Sequence, residues 1–261
     1  MSGKIVVERT EYVATVIIDN VAKRNALSQA MWIAMGDAIL DLSSDPALRC
    51  IVLRGAGHQA FGSGADIDEF ETIRSTKEQG ISFAHHGHRA MNAVRDCPVP
   101  TLAAIRGICV GGGLELAANC DLRIATPESR FGVPIAKLGA VLAHQELEGL
   151  LRLAGTNVAL ELLLEGRLFD AAEALSKGML NRVVATEQFE DALTVTIDRI
   201  IAGAPLSARW HKRFVEQLRY TRCADLPPDV LDEGFACYDT ADFVIGYQAF
   251  LAKQSPIFKG K

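Results

Sequence analysis

The sequence predicts an α/β fold that ends in helices, and three observations carry that reading. Short runs rich in Val and Ile alternate with amphipathic helical stretches through the first half of the chain. Glycine-rich loops at residues 55–65 and 107–113 stand between strand-like and helical runs. From Glu146 onward almost every stretch has helical periodicity, and only residues 182–184 read as extended.

Taken in order, residues 5–8 and 13–18 read as two strands joined by the polar Arg9-Thr10-Glu11, a hairpin. Ser28 is placed to cap a helix on which Met31, Met35, Ala38 and Leu42 recur at four-and-three spacing, and Asp45-Pro46 ends it. Residues 50–53 form a short apolar strand, and a long helix is expected over residues 76–95, stopped at Asp96-Cys97-Pro98. Residues 101–105 and 122–125 return to the sheet, with a good helix former, Leu114-Glu115-Leu116-Ala117-Ala118, between them. Asp170-Ala171-Ala172-Glu173 has the pattern of a capping box. After Gly203-Ala204-Pro205 three further amphipathic stretches follow, so residues 1–203 are expected to form the core and residues 204–261 a helical C-terminal region.

A chain of 261 residues with 49% hydrophobic and 23% charged residues has ordinary globular usage, and two unrelated domains are not expected at this length. A formal net charge of −5 gives no broad positive field for a phosphate polymer, so a nucleic-acid partner is not expected. No apolar run approaches the ~20 residues of a membrane span, and the first residues lack a leader pattern. The expectation is a soluble, cytoplasmic protein. Six cysteines without any Cys-x-x-Cys pair read as reduced thiols.

Chemistry concentrates in Gly111-Gly112-Gly113-Leu114-Glu115. Three glycines ahead of a helix leave backbone amides uncovered at its positive end, a place where a developing oxyanion can be held. Glu115 lies three residues past Gly112, about one turn along nearly the same face. The same glycines also suit close strand-to-helix packing alone, with Glu115 a solvated helix residue. The run fails the dinucleotide fingerprint, since three non-glycines separate Gly107 from Gly111. His85, His86 and His88 have no carboxylate at a ligand-like spacing and read as solvated or helix-packing residues, so no metal is expected. Ser63 does not match a nucleophile elbow.

A second loop, Ala60-Phe61-Gly62-Ser63-Gly64-Ala65-Asp66-Ile67, makes the pattern specific. Together with Gly107-x-x-x-Gly111-Gly112-Gly113-x-Glu115-Leu116-Ala117 and Cys120-Asp121, it resembles the crotonase (enoyl-CoA hydratase/isomerase) superfamily. The likeness runs from Lys23-Arg24-Asn25-Ala26-Leu27 to Phe250-Leu251-Ala252-Lys253. It implies a spiral of ββα turns forming a two-layered sheet with C-terminal helices, assembled as a homotrimer or a dimer of trimers. It also implies an acyl-CoA substrate with no separate cofactor, since coenzyme A is part of the substrate. The amides of Ala65 and Gly112 would form the oxyanion hole for the thioester oxygen, with Glu115 as the acid/base. Lys23, Ala26, Ala65, Asp66, Ile67 and Asp68 would line the CoA path, and Phe250 and Lys253 would approach it from a C-terminal helix, of this or a neighbouring subunit.

The sequence departs from the two-glutamate hydratases at one point. Their second carboxylate follows a Phe-x-x-Pro, and here Phe131-Gly132-Val133-Pro134 is followed by Ile135. The glycine-rich turn that comes next is replaced by Leu142-Ala143-His144-Gln145-Glu146. Glu115 then acts alone through one water, or His144 or Glu146 supplies the missing group. A hydratase-like lyase is the first expectation. An isomerase, decarboxylase or thioester hydrolase of the same superfamily, and a non-catalytic acyl-CoA binder, stand beside it.

Overall fold

The computed structural model describes residues 3–261. Strands β1 (Lys4–Arg9) and β2 (Val13–Asp19) pair antiparallel, as the alternation predicts. Ser28 caps α1 (Gln29–Ser43) by accepting the Met31 N–H. Then come β3 (Cys50–Gly55), β4 (Ala60–Gly62), α2 (Phe70–Ile73), α3 (Lys77–Asp96), β5 (Thr101–Ile105), β6 (Ile108–Val110), α4 (Gly112–Ala118), β7 (Leu122–Ala125) and β8 (Arg130–Gly132). The remainder is α5 (His144–Glu165), β9 (Phe169–Asp170), α6 (Ala171–Ser176), β10 (Arg182–Val183), α7 (Phe189–Ile201), α8 (Pro205–Tyr220), α9 (Pro228–Asp232) and α10 (Ala241–Leu251).

Two sheets result, in the orders β1-β2-β3-β5-β7-β10 and β4-β6-β8-β9. Each turn of the chain contributes a longer strand to the first and a short one to the second, so β3-β4, β5-β6 and β7-β8 stack as successive turns of a spiral. The short strands are absent from the sequence reading, which took residues 55–65 and 107–113 as loops. Three residues give too little alternation to be recognised, and their pairing comes from neighbouring turns.

The central strands β3, β5 and β7 of the first sheet are buried on both faces. Ile51, Leu53, Ala103, Ile105 and Ala125 face the main core with α1, α3 and α4, while Cys50, Val52, Leu102, Ala104 and Ile124 pack on Phe189 and Leu193 of α7. This is the period-two alternation of a strand covered by helices on each side, and it explains why these strands read as unbroken apolar runs. Four of the six cysteines, Cys50, Cys97, Cys109 and Cys120, are buried free thiols. Helices α1 and α3 approach closely at Gly36, where a Cβ would stand 3.5 Å from the Ala90 Cα.

The C-terminal helices are tied to the core of their own chain. Lys212 on α8 pairs with Asp121 at 2.8 Å, and Arg209 donates to the carbonyls of Asp45, Pro46 and Leu48. Buried Asp242 at the start of α10 accepts the amides of Lys259 and Gly260, folding the chain end back on that helix. No helix among the described residues is long and apolar enough to cross a membrane.

Candidate active site

The site is built by strand register. β4 and β6 are parallel, with Gly62 opposite Cys109. Three residues beyond each of these, Ala65 stands beside Gly112, at the ends of adjacent spiral turns. The approach is close: a Cβ on Gly64 would lie 3.5 Å from the Gly112 nitrogen, and one on Gly113 would lie 2.2 Å from the Gly62 carbonyl oxygen. Gly111, at φ 53° and ψ −127°, turns the chain into α4 in a conformation open essentially to glycine alone. The glycine run therefore serves both close packing and amide exposure. Gly113→Ala is expected to destabilise the fold by about 1–3 kcal/mol, because backbone must shift to admit the methyl. Denaturant unfolding checks this, and an unchanged midpoint would contradict the packing.

Both amides are left free. Leu27 N–H donates to the Gly64 carbonyl and Asp66 N–H to the Leu27 carbonyl, so the intervening Ala65 N–H points away from Leu27. Gly112 is the first residue of α4, where helix amides lack intrahelical acceptors. Among the described residues neither amide has a backbone acceptor.

These amides open on a cavity of about 280 Å³. Trp32, Phe83, Val110, Leu142 and Ile135 give it apolar walls, and Glu115, Glu146, Arg74 and Lys137 are its ionisable groups. Glu115 is only 5% exposed, which removes the reading of it as a solvated helix residue. Its pKa is raised to about 8, first by burial, which strips water from the charged form, then by the Glu146 charge, against a smaller opposing pull from Arg74.

Glu146 comes from the third position of α5. Its Oε2 accepts the Ala143 N–H at 2.5 Å, so the helix start itself fixes the side chain over the cavity. Its Oε1 lies 3.6 Å from Nε2 of His88. His88 is buried and, among the described residues, neither ring nitrogen has a hydrogen-bond partner. The histidine triplet thus divides: His85 is exposed while His88 faces a carboxylate that the sequence places 58 residues away. No cluster among the described residues has the make-up of a metal site.

The other expected site residues are distributed as follows. Ile67 lines the cavity beside Ala65. Lys23 Nζ sits 2.6 Å from Asp66 and 2.9 Å from Asp68, an ion-paired cluster next to the Ala65 turn. Those hydrogen bonds, Asp66 first, hold the Lys23 ammonium above its ordinary pKa. A CoA phosphate would compete with two carboxylates for this lysine. Ala26 is buried, its carbonyl accepting from Asn20, and it does not line the cavity. His144, although two residues from Glu146, lines a separate surface depression with Arg152, Arg219 and Tyr220, because successive helix positions point about 100° apart. Phe250 is 82% exposed and Lys253 follows α10 in a left-handed turn; neither lines the cavity of its own chain.

Sequence reasoning passed over Arg74, Trp32 and the α3 wall. Phe83, Gly87 and Met91 recur every fourth residue, a stripe that marks a covered face, though nothing in it says that the face borders a cavity.

A two-layered spiral, two free amides at the ends of adjacent turns and a buried glutamate beneath them define an enzyme class that handles acyl thioesters, and comparison with known proteins agrees. Residues 8–261 match the enoyl-CoA hydratase/isomerase family, and the chain belongs to it. The crystal structure of an enoyl-CoA hydratase/carnithine racemase from Magnetospirillum magneticum is 42% identical, with a TM-score of 0.96 over 98% of this chain and 96% of that one. A crotonyl-CoA hydratase of Syntrophomonas wolfei is 29% identical over 98% of both chains. A putative enoyl-CoA hydratase of Thermus thermophilus is 32% identical over 95% of this chain and 97% of its own.

Proposed function

We propose that this protein is an enoyl-CoA hydratase-like lyase that adds water across the α,β double bond of a 2-enoyl-CoA and removes it in the reverse direction. The observation that carries the proposal is that Glu115 and Glu146 face one cavity next to the free amides of Ala65 and Gly112. Hydration needs one group to take a proton from water and another to deliver a proton to the α-carbon. With Ile135 in the usual second position, α5 offers the second carboxylate instead.

In this mechanism the thioester oxygen accepts from the Ala65 and Gly112 N–H groups. Glu146 takes a proton from water as the oxygen bonds to the β-carbon. The double-bond pair shifts to join the α-carbon to the carbonyl carbon while the carbonyl π pair moves onto the thioester oxygen, giving an enolate that the two donors stabilise. Neutral Glu115, protonated at pH 7 by its burial, then gives its proton to the α-carbon. Coenzyme A belongs to the substrate, and the reaction as proposed uses no other cofactor. The pantetheine and nucleotide would pass Ile67 towards Lys23, Asp66 and Asp68.

Assembly as a trimer or a pair of trimers through residues 204–261 is part of the same proposal. It is supported by the apolar side chains of Phe235, Phe250, Leu251 and Ile257, which are mostly exposed in the single chain. Sedimentation would read the oligomer directly, and a monomer would remove this part. Cytoplasmic location is likewise proposed, and the free thiols of Cys50, Cys97, Cys109 and Cys120 suit a reducing compartment.

The reaction is tested with crotonyl-CoA by loss of enoyl absorbance. Glu146→Gln is expected to lower kcat by ~10²-fold or more with little change in KM, and His144→Ala to keep the parental rate. Ile135→Glu in the Glu146→Gln background is expected to return part of the lost rate, since both positions border the same cavity. Parental kcat in Glu146→Gln would leave Glu115 as the single acid/base.

A further inference from the structure

Four ionisable residues border the acyl cavity, and the proposed reaction uses two of them. Of the others, Arg74 stands out by its surroundings. Its guanidinium lies over the Phe70 ring at 4.8 Å and the Phe83 ring at 5.0 Å, where α2 meets α3. Among the described residues it makes no ion pair and its side chain makes no hydrogen bond. It is half-buried against apolar walls, so part of its hydration is lost.

Stacking between two rings holds the guanidinium plane while leaving its edge donors unspent. Those donors match a carboxylate in a two-bond fork. Glu115 feels its charge, but that interaction is weaker than the effect of burial and the two form no salt bridge, so Glu115 does not serve as its counter-ion. Lys137 at the same cavity is a second cation, and no salt bridge neutralises it among the described residues. The lining therefore carries more positive than negative charge once Glu115 is protonated.

We propose that Arg74 is a specificity-determining residue that binds a carboxylate at the distal end of the acyl chain, so that the preferred substrates are short carboxyacyl-CoA esters. The carboxylate supplies the anion that the folded chain lacks at this position, and the thioester end remains at Ala65 and Gly112. This inference rests on the acyl-CoA reading above.

Binding of two saturated esters of equal length, glutaryl-CoA and pentanoyl-CoA, tests it without catalysis, by titration calorimetry on the full chain. Glutaryl-CoA is expected to bind about 10- to 100-fold more tightly, the range of hydrogen bonds to a charged group. Arg74→Gln should abolish that preference and leave pentanoyl-CoA affinity within about threefold, while Arg74→Lys should keep part of it. Equal affinities in the parent protein overturn the proposal, as does a preference that survives in Arg74→Gln. A loss of affinity for both esters alike would place Arg74 on the CoA portion and equally overturn it. If neither ester binds while the protein is folded, the acyl-CoA reading itself fails.

Discussion

Replacing Glu115 with Gln is expected to lower kcat for 2-enoyl-CoA hydration by ~10²–10⁴ while leaving acyl-CoA binding nearly intact. Gln is close in size and fits the same walls, but it has no acidic proton to give to the α-carbon. The parent enzyme should lose activity as pH rises through about 8, where buried Glu115 ionises, and the Glu115→Gln variant should lack that limb of the profile. Stability supplies a separate readout. Glu115 binds its proton more tightly folded than unfolded, so its favourable contribution is fully present below its unfolded pKa. The contribution declines between about 4.5 and about 8. Relative to the parent, Glu115→Gln should therefore become steadily more stable across that window, by about 1.4 kcal/mol per pH unit at most. Urea midpoints for the two proteins at several pH values measure it. A constant difference, together with unchanged kcat, would mean that Glu115 is neither desolvated nor catalytic.

Gly112→Pro is expected to lower kcat by ~10²–10³ relative to Gly112→Ala, the usual effect of deleting one oxyanion donor. The comparison matters because any Cβ at residue 112 would stand 2.8 Å from the Trp32 ring and so carries a steric cost of its own. Alanine and proline share that cost, and only proline removes the N–H. Proline is also tolerated at the first position of a helix, where residue 112 lies, so a folded variant is expected. Circular dichroism establishes folding, and steady-state kinetics at saturating crotonyl-CoA measures kcat. If folded Gly112→Pro turned over as fast as Gly112→Ala, the Gly112 amide would have no part in the reaction.

Elements whose signals are local could be read directly from the order of residues. Alternating Val and Ile marked the hairpin, Ser28 marked a helix start that is capped as expected, and the two glycine loops marked where backbone would be exposed. The family pattern then drew Ala65, Gly112 and Glu115 together. What it could not settle were relations between distant turns. The β4–β6 register sets Ala65 beside Gly112, and three-residue strands carry almost no periodic signal of their own. The choice between His144 and Glu146 depends on which way each points from the first turn of α5, and that follows from the hydrogen bond between Glu146 and the Ala143 amide. Arg74, an ordinary residue after an acidic segment, borders the cavity only because α2 and α3 fold over it. Protonation of Glu115 was likewise decided by tertiary structure, since desolvation depends on every group packed around a carboxylate and not on its neighbours in the chain.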